Sequence, residues 1–305
     1  MSRILVTGAS GLLGLHFGLQ FANQHEVIGV ANAHGLRGLP FALRTLDLAQ
    51  PGAAEALVAE THPEIVLHCA ALANIDQAEA NPQLAYRINA EVPGELARAA
   101  RRAGAVMIHI STDCVFDGLR GDYCETDETH PINVYARSKL AGEQAALAAN
   151  PEAMVARVNF YGWSTSGTRS LGELFFNNLS AGKPMFGFTD VFFCPLHTNG
   201  LGEVLLKMAG RRLSGIYHVV SREALSKYDF GCRVARRFGL DEGLIRPVSW
   251  QDAGLKAARS PNLTLRTEKL AAALGEPLPA QEEELERFFI QEREGIRSYI
   301  SHFAQ

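Results

Sequence analysis

The chain has 305 residues, 47% of them hydrophobic and 20% charged, with 28 glycines and 13 prolines; this is about two average domains in length, and the composition excludes disordered, collagen-like and disulfide-scaffold chains. Lysine and arginine number 29 against 33 acidic residues, a net charge of -4, so no broad positive field favours nucleic acid or an anionic membrane. The expected partner is a small molecule.

The first apolar run, ILVTG at 4–8, leads into TGASGLLG and a helical pattern at 12–22. Residues 4–25 carry no Asp, Glu, Lys or Arg, but Thr7, Ser10, His16, Gln20, Asn23 and Gln24 interrupt the run and four glycines punctuate it. A secretory leader or a spanning helix is therefore not expected, and the chain reads as cytoplasmic. The runs EVIGV at 26–30, EIVLHCA at 64–70, VMIHIS at 106–111 and MVARV at 154–158 follow, with helical stretches at 52–60, 82–103 and 135–149 between them. Short apolar runs alternating with helices predict βαβ units, hence an α/β fold with a doubly wound parallel sheet.

After Phe160 come a Gly/Ser/Thr stretch at 162–168, a helix near 170–181 and the aromatic run FGFTDVFF at 186–193, which suggests a cleft wall. GIYHVVS at 215–221 is strand-like and positioned to rejoin the sheet, while 227–239 and 282–298 read as amphipathic helices. The expected division is a Rossmann-like domain of 1–160 plus about 197–222, and a smaller C-terminal substrate domain of about 161–196 plus 223–305.

TGASGLLG places Gly8, Gly11 and Gly14 directly after a strand and at the opening of a helix. Glycines there permit a tight turn and let the backbone approach a pyrophosphate, whose charge the helix N-terminus stabilises; the plain alternative is an ordinary strand-to-helix turn. No acid follows the second strand to bond the ribose of NAD. Asn32, His34 and Arg37 stand there instead, favouring NADP(H) and leaving NAD(H) open, with Arg37 equally readable as a solvated loop charge. Asp47, in RTLDL after a short strand, is either an acceptor for the adenine amino group or a cap for the helix beginning near Gly52.

YARSK places Tyr135 and Lys139 on one helix face. A phenol with an ordinary pKa of about 10 is a poor proton donor or base at neutral pH, and a nearby ammonium favours its phenolate. Ser111 and Thr112 end a central strand, where ligands bind in open α/β sheets. The histidines show no metal spacing and the five cysteines no CxxC pair, so they read as packed or surface side chains and as reduced thiols. Ser10 lacks the final glycine of a nucleophile elbow, which disfavours hydrolase chemistry.

TGASGLLG, HCAAL, STDCVFDG and YARSK, in this order, resemble the extended short-chain dehydrogenase/reductase superfamily. Within it, the stretch 71–104, STDCVFDG at 111–118 and NVYARSKLAGE at 133–143 resemble the dTDP-4-dehydrorhamnose reductases and related sugar-nucleotide reductases. The resemblance implies a catalytic set of Thr112, Tyr135 and Lys139. It places Gly8, Gly11, Leu12 and Leu13 along the pyrophosphate, Ala70 and Ala71 beside the nicotinamide riboside, and Asn89 behind the active-site strand. Ser10, Gly14, Leu48, Cys69 and Ala73 complete the expected cofactor contacts, which Tyr135 and Lys139 share.

The implied activity is NADPH-dependent reduction of a 4-keto-6-deoxy sugar nucleotide; a homo-oligomer is left open. Two other readings stand beside it: an NAD-dependent epimerase or dehydratase, and a catalytically silent subunit resembling the regulatory subunit of methionine adenosyltransferase. Departures from the reductase pattern at Leu12, Leu196, Asn199-Gly200 and Pro261 fall, apart from Leu12, on what is expected to be the sugar-nucleotide side.

Overall fold

Seven strands form one wholly parallel sheet: β1 (Arg3–Thr7), β2 (Glu26–Ala31), β3 (Ala42–Thr45), β4 (Ile65–His68), β5 (Val106–Thr112), β6 (Met154–Val158) and a final strand, Gly215–Val219. The computed structural model describes residues 1–32, 35–253 and 260–304. From one edge the order is β3, β2, β1, β4, β5, β6 and Gly215–Val219, so the chain reverses its direction of winding between β1 and β4. β4 and β6 are buried at every residue, which is why they read as continuous apolar runs.

Alternate side chains serve the two faces. Ile4 and Val6 join Phe17 of α1 (Leu12–Phe21), and Leu5, Val66 and Met107 pack with Leu57 of α2 (Ala53–Thr61) on the other face. Two short helices, α3 (Ile75–Ala80) and α4 (Pro82–Tyr86), lead to a π-helical turn at Arg87–Glu91 and to α5 (Val92–Ala103). The single helix expected over 82–103 is thus interrupted. Pro93 has no N–H to bond the Asn89 carbonyl four residues back, and the turn widens there.

That carbonyl faces α6 (Val134–Ala149), where a Cβ on Gly142 would lie 2.0 Å from the Asn89 oxygen. An alanine in a helix interior normally gains about 1 kcal/mol over glycine, whereas forcing atoms into a packed site costs about 1–3 kcal/mol. Here the obstacle is backbone, so the steric cost prevails. Gly142→Ala is expected to lower the urea midpoint, and an unchanged or higher midpoint would contradict this packing.

Beyond β6 the chain builds a second group of elements: α7 (Leu171–Ser180), the strand Met185–Phe188 paired with Ile245–Val248, α9 (Lys227–Phe238), α11 (Gln281–Arg293) and α12 (Ile296–Ser301). Between them α8 (Thr198–Gly210) and α10 (Glu268–Leu274) return to the sheet, adding Leu201, Met208 and Leu270 to the core on the α1 side. The second group is held by aromatic rings, with Trp163 stacked on Phe288 at 4.0 Å and donating its indole N–H to the Phe288 carbonyl at 3.1 Å.

Two further sequence expectations change. The aromatic run at 186–193 is divided, with Phe186 63% exposed and Phe193 buried against Phe230, so it forms no continuous wall. The helix expected at 282–298 stops at Arg293 and restarts at Ile296, because Gly295 turns the chain at φ 78°. α8 was not anticipated. The Asn199-Gly200 departure lies in its first turn, where a Cβ on Gly200 would come within 2.2 Å of Glu284, whose carboxylate accepts from the His197 N–H at 2.6 Å. Leu196 is fully buried and pairs with Phe160. These two departures answer to packing. Among the described residues no helix is long and apolar enough to cross a membrane.

Candidate functional site

At the carboxyl ends of β1, β2 and β4, on the line where the winding reverses, lies a cleft of about 260 Å³. Its floor is the glycine loop. Gly8 adopts φ +68°, and a Cβ there would lie 2.7 Å from the Ala70 nitrogen, so only glycine lets the loops after β1 and β4 meet. Gly14 plays a supporting part, since its Cβ would come within 2.4 Å of the Gly8 carbonyl. Gly11 is the N-cap of α1, and no side chain caps the helix. The first-turn N–H groups of α1 therefore remain available to an anion.

The lining contains Gly8, Ser10, Gly11, Asn32, Asp47, Leu48, Cys69, Ala70 and Ala71, all anticipated. It also contains residues not anticipated, of which Ile88 and Arg169 matter most. Leu12, Leu13, Gly14, Arg37, Ala73, Asn89, Tyr135 and Lys139, also expected as cofactor contacts, are not in it. Leu13 is buried in the sheet core instead. Ala73 is exposed, and the Arg37 loop is drawn away, its N–H bonded to the Phe303 carbonyl at 2.9 Å. His34 lies outside the described residues. Asp47 accepts from the Ala49 N–H at 2.9 Å and from Gln50 at 3.1 Å. It caps the turn ahead of α2, while the N-cap of α2 is Gly52.

Asn89 acts one layer back. Its amide accepts from the Leu72 N–H at 2.8 Å and donates to the Leu72 carbonyl and to the Ser138 hydroxyl, stapling the loop after β4 to α6. Thr7 receives the Ala70 N–H at 3.3 Å and meets His68 Nδ1 at 2.6 Å. His68 stacks on His109 at 5.2 Å, and burial drives His68 down to about 3 and His109 well below the usual imidazole range. Both rings are neutral wall.

Thr112 ends β5, and α6 carries Tyr135 and Lys139 toward the same place. The Thr112 hydroxyl donates to Asp113 at 3.0 Å and accepts from the Cys114 N–H at 3.2 Å, and it lies near enough to the Tyr135 phenol to act on it. Lys139 is 2% exposed and donates to the Ile110 carbonyl at 2.6 Å. Burial brings its ammonium down to about 8. Its charge is felt at Cys69, which lines the cleft.

The sequence expectation that Lys139 favours the phenolate is not met in this arrangement. Burial pushes the Tyr135 phenol upward and the neighbouring Asp113 adds to it, while the Thr112 hydroxyl pulls the other way. The phenol is held in its neutral, proton-donating form. Asp113 is buried with its oxygens engaged by Thr112, Cys114 and Asn159, the last at 2.6 Å. Burial raises its carboxyl, against these hydrogen bonds.

Behind Thr112, Glu143 receives Arg157 through Nε at 3.0 Å and Nη2 at 2.8 Å, and Ser111 Oγ at 2.5 Å, all buried. Removing one partner of such a pair strands the other charge and costs about 3–5 kcal/mol. Arg157→Met is expected to destabilise the protein by that order in a denaturant titration; a loss below about 1 kcal/mol, the usual worth of an exposed pair, would contradict this reading.

A larger cleft of about 430 Å³ between α9 and α11 is lined by Arg233, Arg236, Arg237 and Glu286 among others. Its arginines are already paired, Arg233 with Glu223, Arg236 with Glu242 and Arg237 with Glu286. Neither cleft is lined by Thr112, Tyr135 or Lys139, but the glycine-floored one holds the expected cofactor contacts and this one holds none of them.

The family model described as the RmlD substrate binding domain matches residues 1–294. The chain belongs to the RmlD family. It is 37% identical over 283 residues to the dTDP-4-dehydrorhamnose reductase of Mycobacterium tuberculosis, covering 90% of this chain and 88% of that protein. It is 32% identical to the methionine adenosyltransferase 2 subunit beta of Xenopus laevis, covering 83% of this chain and 77% of that one. The crystal structure of dTDP-4-dehydrorhamnose reductase from Bacillus anthracis in complex with NADP superposes with a TM-score of 0.83 at 28% identity, covering 95% and 99% of the two chains. The RmlD relationship and the Rossmann-like sheet agree with the resemblance drawn from the motifs.

Proposed function

We propose that this RmlD-family chain reduces the C4 carbonyl of a 4-keto-6-deoxy sugar nucleotide with NADPH, NADH being the alternative donor. The observation that carries the proposal is the convergence of Thr112, Tyr135 and Lys139 at the end of β5, beside a glycine-floored cleft with an uncapped helix N-terminus. That cleft fits a dinucleotide: Gly8 and Gly11 present backbone where a pyrophosphate needs close approach, and Asn32, Asp47 and Leu48 lie toward the adenosine end. A Mycobacterium tuberculosis relative that bears the reductase name and a Bacillus anthracis neighbour that holds NADP support the same reading.

NADPH, when bound, would supply the hydride. Tyr135 gives its phenolic proton to the oxygen on which negative charge develops, and its raised pKa keeps that proton in place until then. Thr112 donates a hydrogen bond to the same oxygen. Lys139 would hold the ribose hydroxyls and, once near the phenol, would stabilise the phenolate left behind.

An epimerase or dehydratase needs a carboxylate free to abstract a proton, and both oxygens of Asp113 are occupied. The silent-subunit reading, which the Xenopus laevis relative keeps in view, expects nucleotide binding without turnover. Incubation with NADPH and a panel of dTDP- and other nucleotide-linked keto sugars, following cofactor absorbance, tests the proposal. Oxidation with a 4-keto-6-deoxy sugar nucleotide is expected, and binding without oxidation across the panel would refute it.

A further inference from the structure

Arg169 is the one cation lining the cleft among the described residues, and it comes from the far side, from the loop between β6 and α7. Its guanidinium is exposed and has no hydrogen bond or ion pair to another side chain among the described residues. Its backbone is fixed. The Arg169 N–H donates to Glu173 at 2.9 Å, the Ser164 N–H donates to the same carboxylate at 2.6 Å, and Ser170 closes the α7 capping box while bonding the Gly162 carbonyl at 2.7 Å. Glu173 is fully buried. A free cationic arm thus stands on a rigid base opposite the glycine loop.

The anion to be held there is doubly charged. The N-terminus of α1 offers roughly half a positive charge, and its first turn contains no charged side chain. The carboxylate in the lining, Asp47, has the wrong sign and is engaged with its own turn. A guanidinium fork matches two phosphate oxygens and adds the missing full charge.

We propose that Arg169 clamps the pyrophosphate of the dinucleotide from the second group of elements. This rests on the dinucleotide reading above. In the cofactor-free protein, calorimetric titration with NADPH and NADH compares wild type, Arg169→Gln and Arg169→Lys. The pyrophosphate is common to both cofactors, so Arg169→Gln is expected to weaken both by about tenfold or more, as for other hydrogen bonds to charged groups. Arg169→Lys, which keeps the charge but not the fork, is expected to lie between. The affinity of wild type is expected to fall more steeply with salt than that of Arg169→Gln.

Unchanged affinities in Arg169→Gln would overturn the inference while leaving the reductase reading intact. A loss confined to NADPH would also overturn it, by moving Arg169 to the 2′-phosphate. Failure of wild type to bind either cofactor would overturn the dinucleotide reading and the clamp with it.

Discussion

Tyr135→Phe is expected to lower kcat by about 10²–10⁴-fold, the usual range for losing a general acid, while the affinity for NADPH stays within a few fold. The substitution removes one hydroxyl from a half-buried side chain on α6 and leaves Lys139 on the Ile110 carbonyl. The phenol is held neutral by burial, so at neutral pH nearly every molecule carries the proton the reaction needs. A developing alkoxide is a stronger base than a phenolate, and the transfer runs downhill. Thr112→Val should cost less, because it removes a supporting hydrogen bond rather than the donor. Steady-state kinetics on a reducible substrate decides the matter. If Tyr135→Phe keeps full activity, Asp113 is the next acid to test, since burial raises its carboxyl.

Gly11→Val is expected to abolish dinucleotide binding without unfolding the protein. At φ -80° Gly11 has a backbone conformation open to any residue. An added Cβ would meet the Gly8 carbonyl at 3.1 Å, a contact relieved by a small shift. The isopropyl group would then stand in the cleft over the helix N-terminus, in the space the pyrophosphate needs. Gly8 is the wrong place for this test, because any side chain there is strained by φ +68° and strikes the Ala70 backbone. Calorimetry on Gly11→Val, with circular dichroism to verify the fold, should give no binding heat; unchanged binding would reduce the loop to a turn.

The central strands were legible because parallel strands buried on both faces are continuous apolar runs, as in β4 and β6. The glycine loop was legible because its glycines act within a few residues of one another. α8 was not, because Gly200 and Gly202 disguise a helix. Gly200 clears Glu284, and a Cβ on Gly202 would lie 2.9 Å from Gln20, so the reason for each glycine lies on a distant element. The break before α5 had a local cause in Pro93, but its consequence, the close pass of Gly142, is tertiary. Arg37 follows β2 in the chain, but the chain end at Phe303 decides where its loop lies. Arg169 had two signals: it is the lone charge between Arg157 and Glu173, and it directly precedes a Ser170–Glu173 capping box that fixes where α7 begins. Neither could tell that its loop faces α1.

The proposed reaction delivers a hydride to a sugar C4 while Tyr135 delivers the proton. The most direct measurement is incubation of the wild-type protein with NADPH deuterated at the nicotinamide C4 and a dTDP-4-keto-6-deoxy sugar, followed by NMR and mass analysis of the product. The expected result is one deuterium bound to C4 of the sugar for each cofactor oxidised, with the product hydroxyl bearing exchangeable hydrogen. Recovery of the keto sugar undeuterated, with the cofactor bound but not oxidised, would contradict the claim.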